Sequence, residues 1–337
     1  KWISLAAAVI LAVTALPMTA FAAEKDGGEE KLTKVTLNEV AHSIFYAPQY
    51  VAIEEGYFSE EGLNLTLVTG FGADKTMTAV ISGEADIGFM GAEASVYAYQ
   101  EGATDPVVNF AQLTQRAGNF LVAREEMPDF KWEDLKGKKV LGGRKGGMPE
   151  MVFEYILKKN GIDPQKDLTI DQSIDFGSTA AAFTGDDSAA YTVEFEPSAT
   201  ILEKEGGGYV VASLGEASGY VPYTSYSAKV SYMEENPEII QKFTNALQKG
   251  MDYVQSHTPE EIAEVIAPQF KETDIETITT IVKRYYDQDT WKENLIFEKD
   301  SFELLQDILE DAGELSQRVN YEALVQTSSA EKASKDK

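Results

Sequence analysis

Few side chains in this 337-residue chain have the types and spacing that chemistry requires. The sequence has no cysteine and only two histidines, so disulfides, thiolate ligands and cysteine nucleophiles are excluded. His42 is expected at a strand end, whereas His257 lies between two helical segments and is expected on the surface. No cluster of His and carboxylate residues has metal-ligand spacing, and no G-x-S-x-G motif occurs. The residues therefore predict no catalytic group, no metal site and no cofactor.

Two carboxylates and one glycine-rich loop remain as candidates for a site. Glu194 and Glu196 are paired carboxylates at the end of a predicted strand, and we expect them to point to opposite faces of that strand, which would make them poor acid/base partners. One of them could face a ligand while the other faces solvent or caps a helix. The segment 142–149 (GGRKGGMP) precedes a predicted helix, and free N–H groups there could point at an anion or a carbonyl. It matches neither a Walker A loop nor G-x-G-x-x-G, and a plain tight turn is the alternative.

Charge and the N-terminal segment limit the class of protein. Asp+Glu number 56 against 29 Lys+Arg, which disfavours nucleic acid as a partner because nucleic acid needs basic patches. Lys1, an apolar run and Ala20-Phe21-Ala22 predict a signal peptide over 1–22, cleaved after Ala22, with a membrane anchor as the alternative. Export without a lipid-modified cysteine suggests a periplasmic or cell-surface protein. The remaining length predicts about two domains.

The elements around residues 40–102 give the most information on fold. Ser43 can cap a helix that ends at Gly56, and Leu63, Leu65 and Leu67 alternate as in a half-buried strand. A second helix is expected to bury Met77, Val80 and Ile81 before another apolar run over 85–90. This β-α-β-α-β order predicts a parallel sheet, whose ligands lie beyond the carboxyl ends of the strands, here 41–45 and 90–93.

The same stretch resembles a known family. "APQYVAIEEGYFSEEGLNLTLV" followed by "AVISGEADIGFMG" is similar to the opening lobe of type II solute-binding proteins of bacterial ABC importers, in the branch for nitrate, sulfonates, taurine and pyrimidine precursors of thiamine. "WEDLKGKKVLGGRKGG" and "AAFTGDDSAAYTVEFEP" resemble the second lobe, and the resemblance spans about 33–312. The usual G-x-x-D-A appears only as GDDSA at 185–189, which puts that loop's length in doubt.

The resemblance implies a two-lobed α/β fold, with a mostly parallel sheet flanked by helices in each lobe. Lobe 1 would comprise 33–119 and 225–327, and lobe 2 would comprise 120–224. Two crossing strands, Phe120–Ala123 and a segment within Tyr220–Lys229, would join them, and the tail 328–337 is expected to be disordered.

The resemblance also implies a function. The lobes would close on a small organic solute and deliver it to a membrane permease and its ATPase, with the protein itself a monomer. The solute could be a sulfonate-, taurine- or nitrate-like anion, or a pyrimidine-like heterocycle. A pyrimidine-synthesising enzyme of the same fold is an alternative, but that enzyme relies on a cysteine-rich motif and an active-site histidine. A ligand-sensing subunit of a receptor is the other alternative.

The predicted ligand-binding residues come from strand ends and loops that the family brings to the groove between the lobes. Aromatic rings there could stack on a ligand, and Arg116 or Arg144 could pair with an anionic group or with a surface glutamate. The full predicted set is His42, Ser43, Phe45, Tyr46, Met90, Gly91, Ala92, Glu93, Gln115, Arg116, Arg144, Lys145, Gly146, Gly147, Met148, Glu194, Phe195, Glu196, Tyr223 and Tyr226.

Overall fold

The computed structural model describes residues 32–175 and 177–335, so the predicted signal peptide lies outside the described residues. The strands are β1 (Thr33–Glu39), β2 (Leu63–Thr69), β3 (Ile87–Met90), β4 (Val107–Thr114), β5 (Asn119–Ala123), β6 (Lys139–Leu141), β7 (Thr169–Asp171), β8 (Tyr191–Phe195), β9 (Tyr209–Ser213) and β10 (Thr224–Lys229). The helices are α1 (Ala47–Glu54), α2 (Tyr57–Glu60), α3 (Ala73–Ser82), α4 (Glu93–Gln100), α5 (Met148–Lys159), α6 (Thr179–Gly185), α7 (Ser198–Lys204), α8 (Leu214–Ser218), α9 (Val230–Glu235), α10 (Pro237–Ser256), α11 (Pro259–Ile266), α12 (Ile275–Asp287), α13 (Lys299–Asp311), α14 (Tyr321–Leu324) and α15 (Ser328–Ala333). Short 3-10 turns cover Ile44–Tyr46, Trp132–Leu135 and Ala267–Gln269.

The strands form two five-stranded sheets of the same design. The first has the order β2-β1-β3-β10-β4, and the second has the order β7-β6-β8-β5-β9. In the first sheet β1 pairs in parallel with β2 and β3, while β10 runs antiparallel to β3 and β4. In the second sheet β6 pairs in parallel with β7 and β8, while β5 is antiparallel to β8 and β9. The predicted α/β class with two mostly parallel sheets is confirmed.

Local signals in the first sheet mostly act as the sequence predicts. The Ser43 hydroxyl accepts a hydrogen bond from the Phe45 N–H and starts the 3-10 turn that leads into α1. Gly56 has φ 76°, a left-handed conformation that glycine reaches at little cost, and α1 ends just before it. In α3, Met77 and Val80 are buried, but the prediction for Ile81 is wrong because its side chain is 50% exposed. The buried face of α3 is therefore narrower than the apolar sequence predicted, because it excludes Ile81.

The chain passes between the two sheets twice. It leaves β4 in the first sheet and enters β5 in the second through residues 115–118, so the predicted segment Phe120–Ala123 lies inside β5. It returns through residues 219–223, between α8 and β10. These two passages bring the carboxyl ends of both sheets to face one another.

The C-terminal part of the chain is helical and packs on the first sheet. Amphipathic helices α10, α11, α12 and α13 bury one face each, as their apolar spacing predicts. Thr258 and Glu261 form a capping box at the start of α11. At the start of α12 the Asp274 carboxylate is the cap, because it accepts a hydrogen bond from the Thr277 N–H. No helix in the described residues is both long and apolar enough to span a membrane.

The predicted disorder of the tail is wrong for residues 328–333, which form α15. Ala330 is fully buried, and the Ser329 carbonyl accepts a 3.0 Å hydrogen bond from the Gln241 side chain of α10. Small side chains, which suggested a solvated tail, here allow close packing of one helix on another. Residues 336 and 337 lie outside the described part.

Candidate ligand-binding site

A cavity of about 230 Å³ lies where the carboxyl ends of the two sheets face one another. The loops after β1, β2 and β3 contribute one wall, and the loops after β6 and β8 contribute the other. This is the position that a sheet of this topology favours for a ligand. The lining residues are Val40, Ala41, His42, Ser43, Tyr46, Phe71, Gly72, Ala73, Gly91, Glu93, Asn119, Gly142, Gly143, Arg144, Gly147, Met148, Pro149, Gly177, Thr179, Val193, Glu194, Phe195, Glu196, Pro197, Ser198, Tyr223 and Thr224.

Many of the predicted site residues meet at this cavity. Those that line it are His42, Ser43, Tyr46, Gly91, Glu93, Arg144, Gly147, Met148, Glu194, Phe195, Glu196 and Tyr223. Those that do not line it are Phe45, Met90, Ala92, Gln115, Arg116, Lys145, Gly146 and Tyr226.

The aromatic residues that miss the cavity are part of the core. Phe45 is fully buried, and its ring centroid lies 5.6 Å from that of Tyr223 and 5.2 Å from that of Tyr285. Tyr226 stacks on Phe89 with ring centroids 4.1 Å apart, since β10 and β3 place the two residues directly opposite each other. Met90 and Ala92 are buried beside them. Burial in the core, rather than ligand stacking, explains these side chains.

The polar residues that miss the cavity have partners within the chain. Arg116 lies over the Tyr220 ring and donates to the Gly215 carbonyl at 3.1 Å. The Gln115 side chain donates to the Asp289 carbonyl. Lys145 pairs with Glu314 at 3.5 Å, and the Gly146 carbonyl accepts from the Tyr97 hydroxyl at 2.9 Å. Arg116 therefore does not line the cavity, and its partners are Tyr220 and Gly215 instead of a surface glutamate.

Glu93 is the most unusual group in the cavity. Its side chain is 3% exposed, and its Oε2 atom has no hydrogen-bond partner in the described part of the chain. The carboxyl group folds over Gly91, where a Cβ atom would lie 2.0 Å from Oε2. Burial raises the pKa of Glu93 to about 7, although the N–H groups of Glu93 and Met148 and the Arg144 guanidinium oppose the rise. A buried acceptor is thus free for a ligand.

A second carboxyl group, Glu194, faces the same cavity. Its oxygens accept from the Thr192 and Thr179 hydroxyls at 2.6 and 2.9 Å. Burial raises the pKa of Glu194 to about 7 in spite of these two hydrogen bonds. Thr179 was not predicted as a site residue, and it comes from the start of α6. Both Glu93 and Glu194 are therefore costly to ionise without a compensating donor.

The prediction that Glu194 and Glu196 face opposite ways is wrong, because both line the cavity. Side chains two residues apart along a strand lie on the same face, and Glu196 directly follows the last residue of β8, which contains Glu194. The Glu196 carboxylate is held by the Arg284 guanidinium at 2.7 Å and by the N–H and hydroxyl of Thr200. Glu196 is thus neutralised within the chain, in contrast to Glu93.

His42 lines the cavity, but both of its ring nitrogens are engaged. Nδ1 lies 2.8 Å from Glu39 Oε1, and Nε2 lies 2.9 Å from the Gln269 carbonyl. Burial alone would lower the pKa of His42, and hydrogen bonds to these two acceptors outweigh burial and raise it. Because both partners are acceptors, the protonated ring is favoured, and neither ring nitrogen is free to act as a base.

The glycine-rich loop before α5 does line the cavity, but its N–H groups are not free as the sequence suggested. The Gly146 N–H donates to Glu150 at 3.2 Å, and the Gly147 N–H donates to the Arg144 carbonyl at 3.2 Å. The Met148 N–H lies against Glu93 and lowers the pKa of that carboxyl. The positive end of α5 therefore faces the chain's own carboxylate instead of an empty anion site.

Several contacts join the two sides of the cavity. The Ser43 hydroxyl donates to the Glu196 carbonyl at 2.9 Å. At the mouth, Arg144 pairs with Asp74 at 3.6 Å, and both side chains are about half exposed. Two more pairs, Lys145–Glu314 and Lys158–Asp311, extend the same seam. The cleft is closed in this structure.

Two lining residues carry features that the sequence did not signal. Asn119 is the first residue of β5; its side-chain oxygen Oδ1 accepts from the Tyr223 hydroxyl at 2.7 Å, while its Nδ2 atom is buried without a partner in the described part of the chain. Phe71 lies in a Gly-Phe-Gly turn and is 61% exposed. A Gly-rich turn gives no hint in sequence that its central side chain borders a cavity.

The arrangement offers hydrogen-bond acceptors to a ligand more than positive charge. Glu93 supplies an unpartnered acceptor and Asn119 an unpartnered donor, within reach of aromatic walls from Tyr46, Phe195 and Tyr223. Among the described residues, no group of three or more His, Cys, Asp or Glu is arranged to hold a metal ion.

Comparison with known proteins identifies a matching family and several relatives of this chain. The family model described as NMT1/THI5 like matches residues 44–262. The chain is 46% identical over 337 residues to "Putative binding protein YtlA" of Bacillus subtilis (strain 168), covering 100% of this chain and 99% of that protein. It is 25% identical over 224 residues to the 4-amino-5-hydroxymethyl-2-methylpyrimidine phosphate synthase of Aspergillus parasiticus, covering 62% of this chain and 63% of the synthase.

A solved structure with the same fold is the periplasmic nitrate-binding protein NrtA from Synechocystis PCC 6803. It superposes with a TM-score of 0.71 at 15% identity and covers 91% of this chain and 89% of its own. At that identity the likeness shows the fold alone. With two sheets of matching design, a cavity between them and a family model that spans most of the chain, this protein belongs to the NMT1/THI5-like family and has the periplasmic-binding-protein fold.

Proposed function

We propose that this protein is the extracytoplasmic solute-binding component of an ABC importer. It captures a small organic solute by closing two lobes around the cavity and delivers the solute to a permease and its ATPase. The observation that carries the proposal is the closed cavity between two sheets of matching design, in a chain of this family. Export by the predicted signal peptide and action as a monomer belong to the same proposal.

The lobes are proposed to be residues 33–119 with 225–327, and residues 120–224. The first includes β1–β4 and all of β10 except its first residue, Thr224, and the second includes β6–β9 and all of β5 except its first residue, Asn119. The hinge is then the pair of passages at 115–118 and 219–223, because there the backbone crosses between the sheets.

The cavity favours an amino-bearing heterocycle over a nitrate- or sulfonate-like anion. An anion needs free donors, but the Gly146 and Gly147 amides of the loop before α5 donate within the chain and Arg144 is paired with Asp74. Among the described residues, Glu93 Oε2 and Asn119 Nδ2 lack a hydrogen-bond partner. A ligand N–H could donate to Glu93, and a ligand acceptor could bind the Asn119 N–H. Leaving either group buried without a partner would cost free energy. A planar ring with an amino group satisfies both groups and fits the aromatic walls.

The enzyme alternative predicts turnover. The chain lacks cysteine, and His42 has no free nitrogen, so the groups that the related synthase class relies on are absent or engaged. Incubation of the protein with an excess of 4-amino-5-hydroxymethyl-2-methylpyrimidine, followed by mass spectrometry, is expected to show the unchanged compound. A new product that accumulates beyond one equivalent of protein would show that the protein is an enzyme and would contradict the proposed function.

Calorimetric titration with 4-amino-5-hydroxymethyl-2-methylpyrimidine tests the ligand class through its pH dependence. A ligand that donates to the cavity carboxyls binds their ionised form, and the pKa of Glu93 is about 7 without ligand. Affinity is therefore expected to rise about tenfold from pH 6 to pH 8, as the ionised fraction rises, and to level off above pH 8. Taurine and nitrate, titrated in parallel, are expected to show no binding.

The Glu93→Gln variant is the control, because it shares the titration of the pyrimidine itself but lacks the carboxyl group. Its affinity should change less with pH than that of the parent, and the difference between the two slopes reports Glu93. Tight binding of taurine or nitrate, strongest at low pH, would contradict the proposed ligand class while leaving a solute-binding role in place.

A further inference from the structure

One cavity residue combines exposure with an unfavourable backbone conformation. Phe71, between β2 and α3, has φ 57°, a left-handed conformation that bulky side chains rarely adopt. Its side chain is 61% exposed, yet it borders the mouth of the cavity. Neither core packing nor local backbone preference accounts for an aromatic ring at this position. Such an outlier beside a ligand cavity points to a role in binding.

The surrounding turn holds Phe71 in place. Gly70 N–H donates to the Glu39 carbonyl at 2.8 Å, and Gly72 N–H donates to the Val40 carbonyl at 3.1 Å, so both neighbours are tied to the end of β1. A Cβ atom on Gly70 would lie 2.5 Å from Thr76 Oγ1. Gly72 has φ 142°, which only glycine adopts readily. The flanking glycines thus allow the turn to run close to β1 while Phe71 points away from the core.

The exposure of the other lining residues indicates which part of a bound ligand Phe71 would contact. Glu93 and Asn119 are 3% and 1% exposed and form the inner part of the cavity. Each has a polar atom without a hydrogen-bond partner among the described residues. Phe71 is exposed at the outer part, next to the Asp74–Arg144 pair that bridges the mouth. A ligand with its polar edge at Glu93 would leave its outer ring face toward Phe71.

We propose that Phe71 is an aromatic cap, whose ring covers the outer face of a planar heterocyclic ligand that is held at its polar edge by Glu93 and Asn119. This inference rests on the proposed solute-binding function and adds a residue that selects flat ligands. Ring stacking gives the cap a preference for aromatic over aliphatic solutes of equal polarity. Before binding, the exposed ring is available to meet the ligand.

The test is the Phe71→Asn variant, with 4-amino-5-hydroxymethyl-2-methylpyrimidine as the probe. Asparagine tolerates a left-handed backbone better than phenylalanine, so the melting temperature without probe is expected to stay the same or rise. Loss of the ring is expected to weaken probe binding at least tenfold in calorimetry, mainly through faster dissociation in stopped-flow measurements. A residue with a merely structural role would not give weaker binding together with equal or higher stability.

Two further variants separate stacking from general apolar cover. Phe71→Tyr should bind the probe within about twofold of the parent, whereas Phe71→Leu should bind it several-fold more weakly. Ile81→Ala, which removes another exposed apolar side chain from the adjacent helix α3, should leave affinity unchanged. If the parent protein binds the probe and Phe71→Asn binds it equally well, the proposed role of Phe71 is wrong and the proposed ligand class still stands. If the parent protein does not bind the probe, both the cap and the proposed ligand class are overturned.

Discussion

Replacing Glu93 by glutamine is expected to weaken binding of 4-amino-5-hydroxymethyl-2-methylpyrimidine about 30-fold and to stabilise the empty protein by about 3 kcal/mol at pH 8. The first effect follows because a hydrogen bond to a charged acceptor contributes about 2 kcal/mol. The second follows because burial raises the pKa of Glu93 from 4.5 to about 7. The folded state then holds a proton that the unfolded state releases, so wild-type stability falls as the pH rises from 5 to 8, and glutamine removes that loss.

Urea denaturation at pH 5 and pH 8, with calorimetry at pH 8, measures both effects. The variant's gain in the free energy of unfolding should be large at pH 8 and small at pH 5. Asp74→Asn is the matched control, since Asp74 is a half-exposed carboxylate at the mouth of the same cavity, and its change should be within about 0.5 kcal/mol. A Glu93→Gln protein with wild-type affinity and an unchanged pH profile would show that this carboxyl is neither strained nor part of the site.

Replacing Arg284 by methionine is expected to reduce the free energy of unfolding by about 3 kcal/mol. The guanidinium of Arg284 binds the Glu196 carboxylate at 2.7 Å and the Glu203 carboxylate at 2.6 Å. The Glu196 side chain is fully buried, so loss of its cation leaves a buried charge that the Thr200 hydrogen bonds compensate only in part. Breaking a buried pair in this way costs about 3–5 kcal/mol, and the partial exposure of Arg284 favours the lower end.

Urea denaturation at neutral pH tests this expectation with two comparison proteins. Lys283→Met removes an exposed cation from the neighbouring position of α12, where its partner is Asp287, and should cost less than about 0.5 kcal/mol. The double variant Arg284→Met with Glu196→Gln should recover most of the stability, because no buried charge remains unpaired. If Arg284→Met loses no more stability than Lys283→Met, the pair does not contribute as described.

The fold was largely predictable from the sequence because its signals are local. Apolar alternation at Leu63–Leu67, the glycine stop at Gly56 and the Ser43 cap each act within one or two turns of the chain. The tail was misjudged for the opposite reason, since α15 depends on its packing against α10, which is about 85 residues earlier in sequence. Composition alone does not reveal a distant partner of that kind.

The site was predictable only at the level of segments. The sequence identified strand ends that the fold would bring together, but it did not determine which side chains face the cavity. Tyr226 turns into the core because β10 pairs it with Phe89, and Glu196 faces the cavity with Glu194 because side chains two residues apart along a strand lie on the same face. Asn119 and Phe71 gave no signal, since an asparagine near a predicted loop and a phenylalanine between two glycines are common in ordinary turns.

The ion pairs along the seam have a consequence for the rate at which a solute enters. Asp74–Arg144, Lys145–Glu314 and Lys158–Asp311 are partly or largely exposed and hold opposite sides of the closed cleft. In the proposed binding cycle a solute enters only after these pairs separate, and salt near 1 M shortens the Debye length to about 3 Å and weakens them. The association rate constant of an uncharged solute should therefore increase with ionic strength, so the salt content of the medium would set how quickly the protein samples its surroundings.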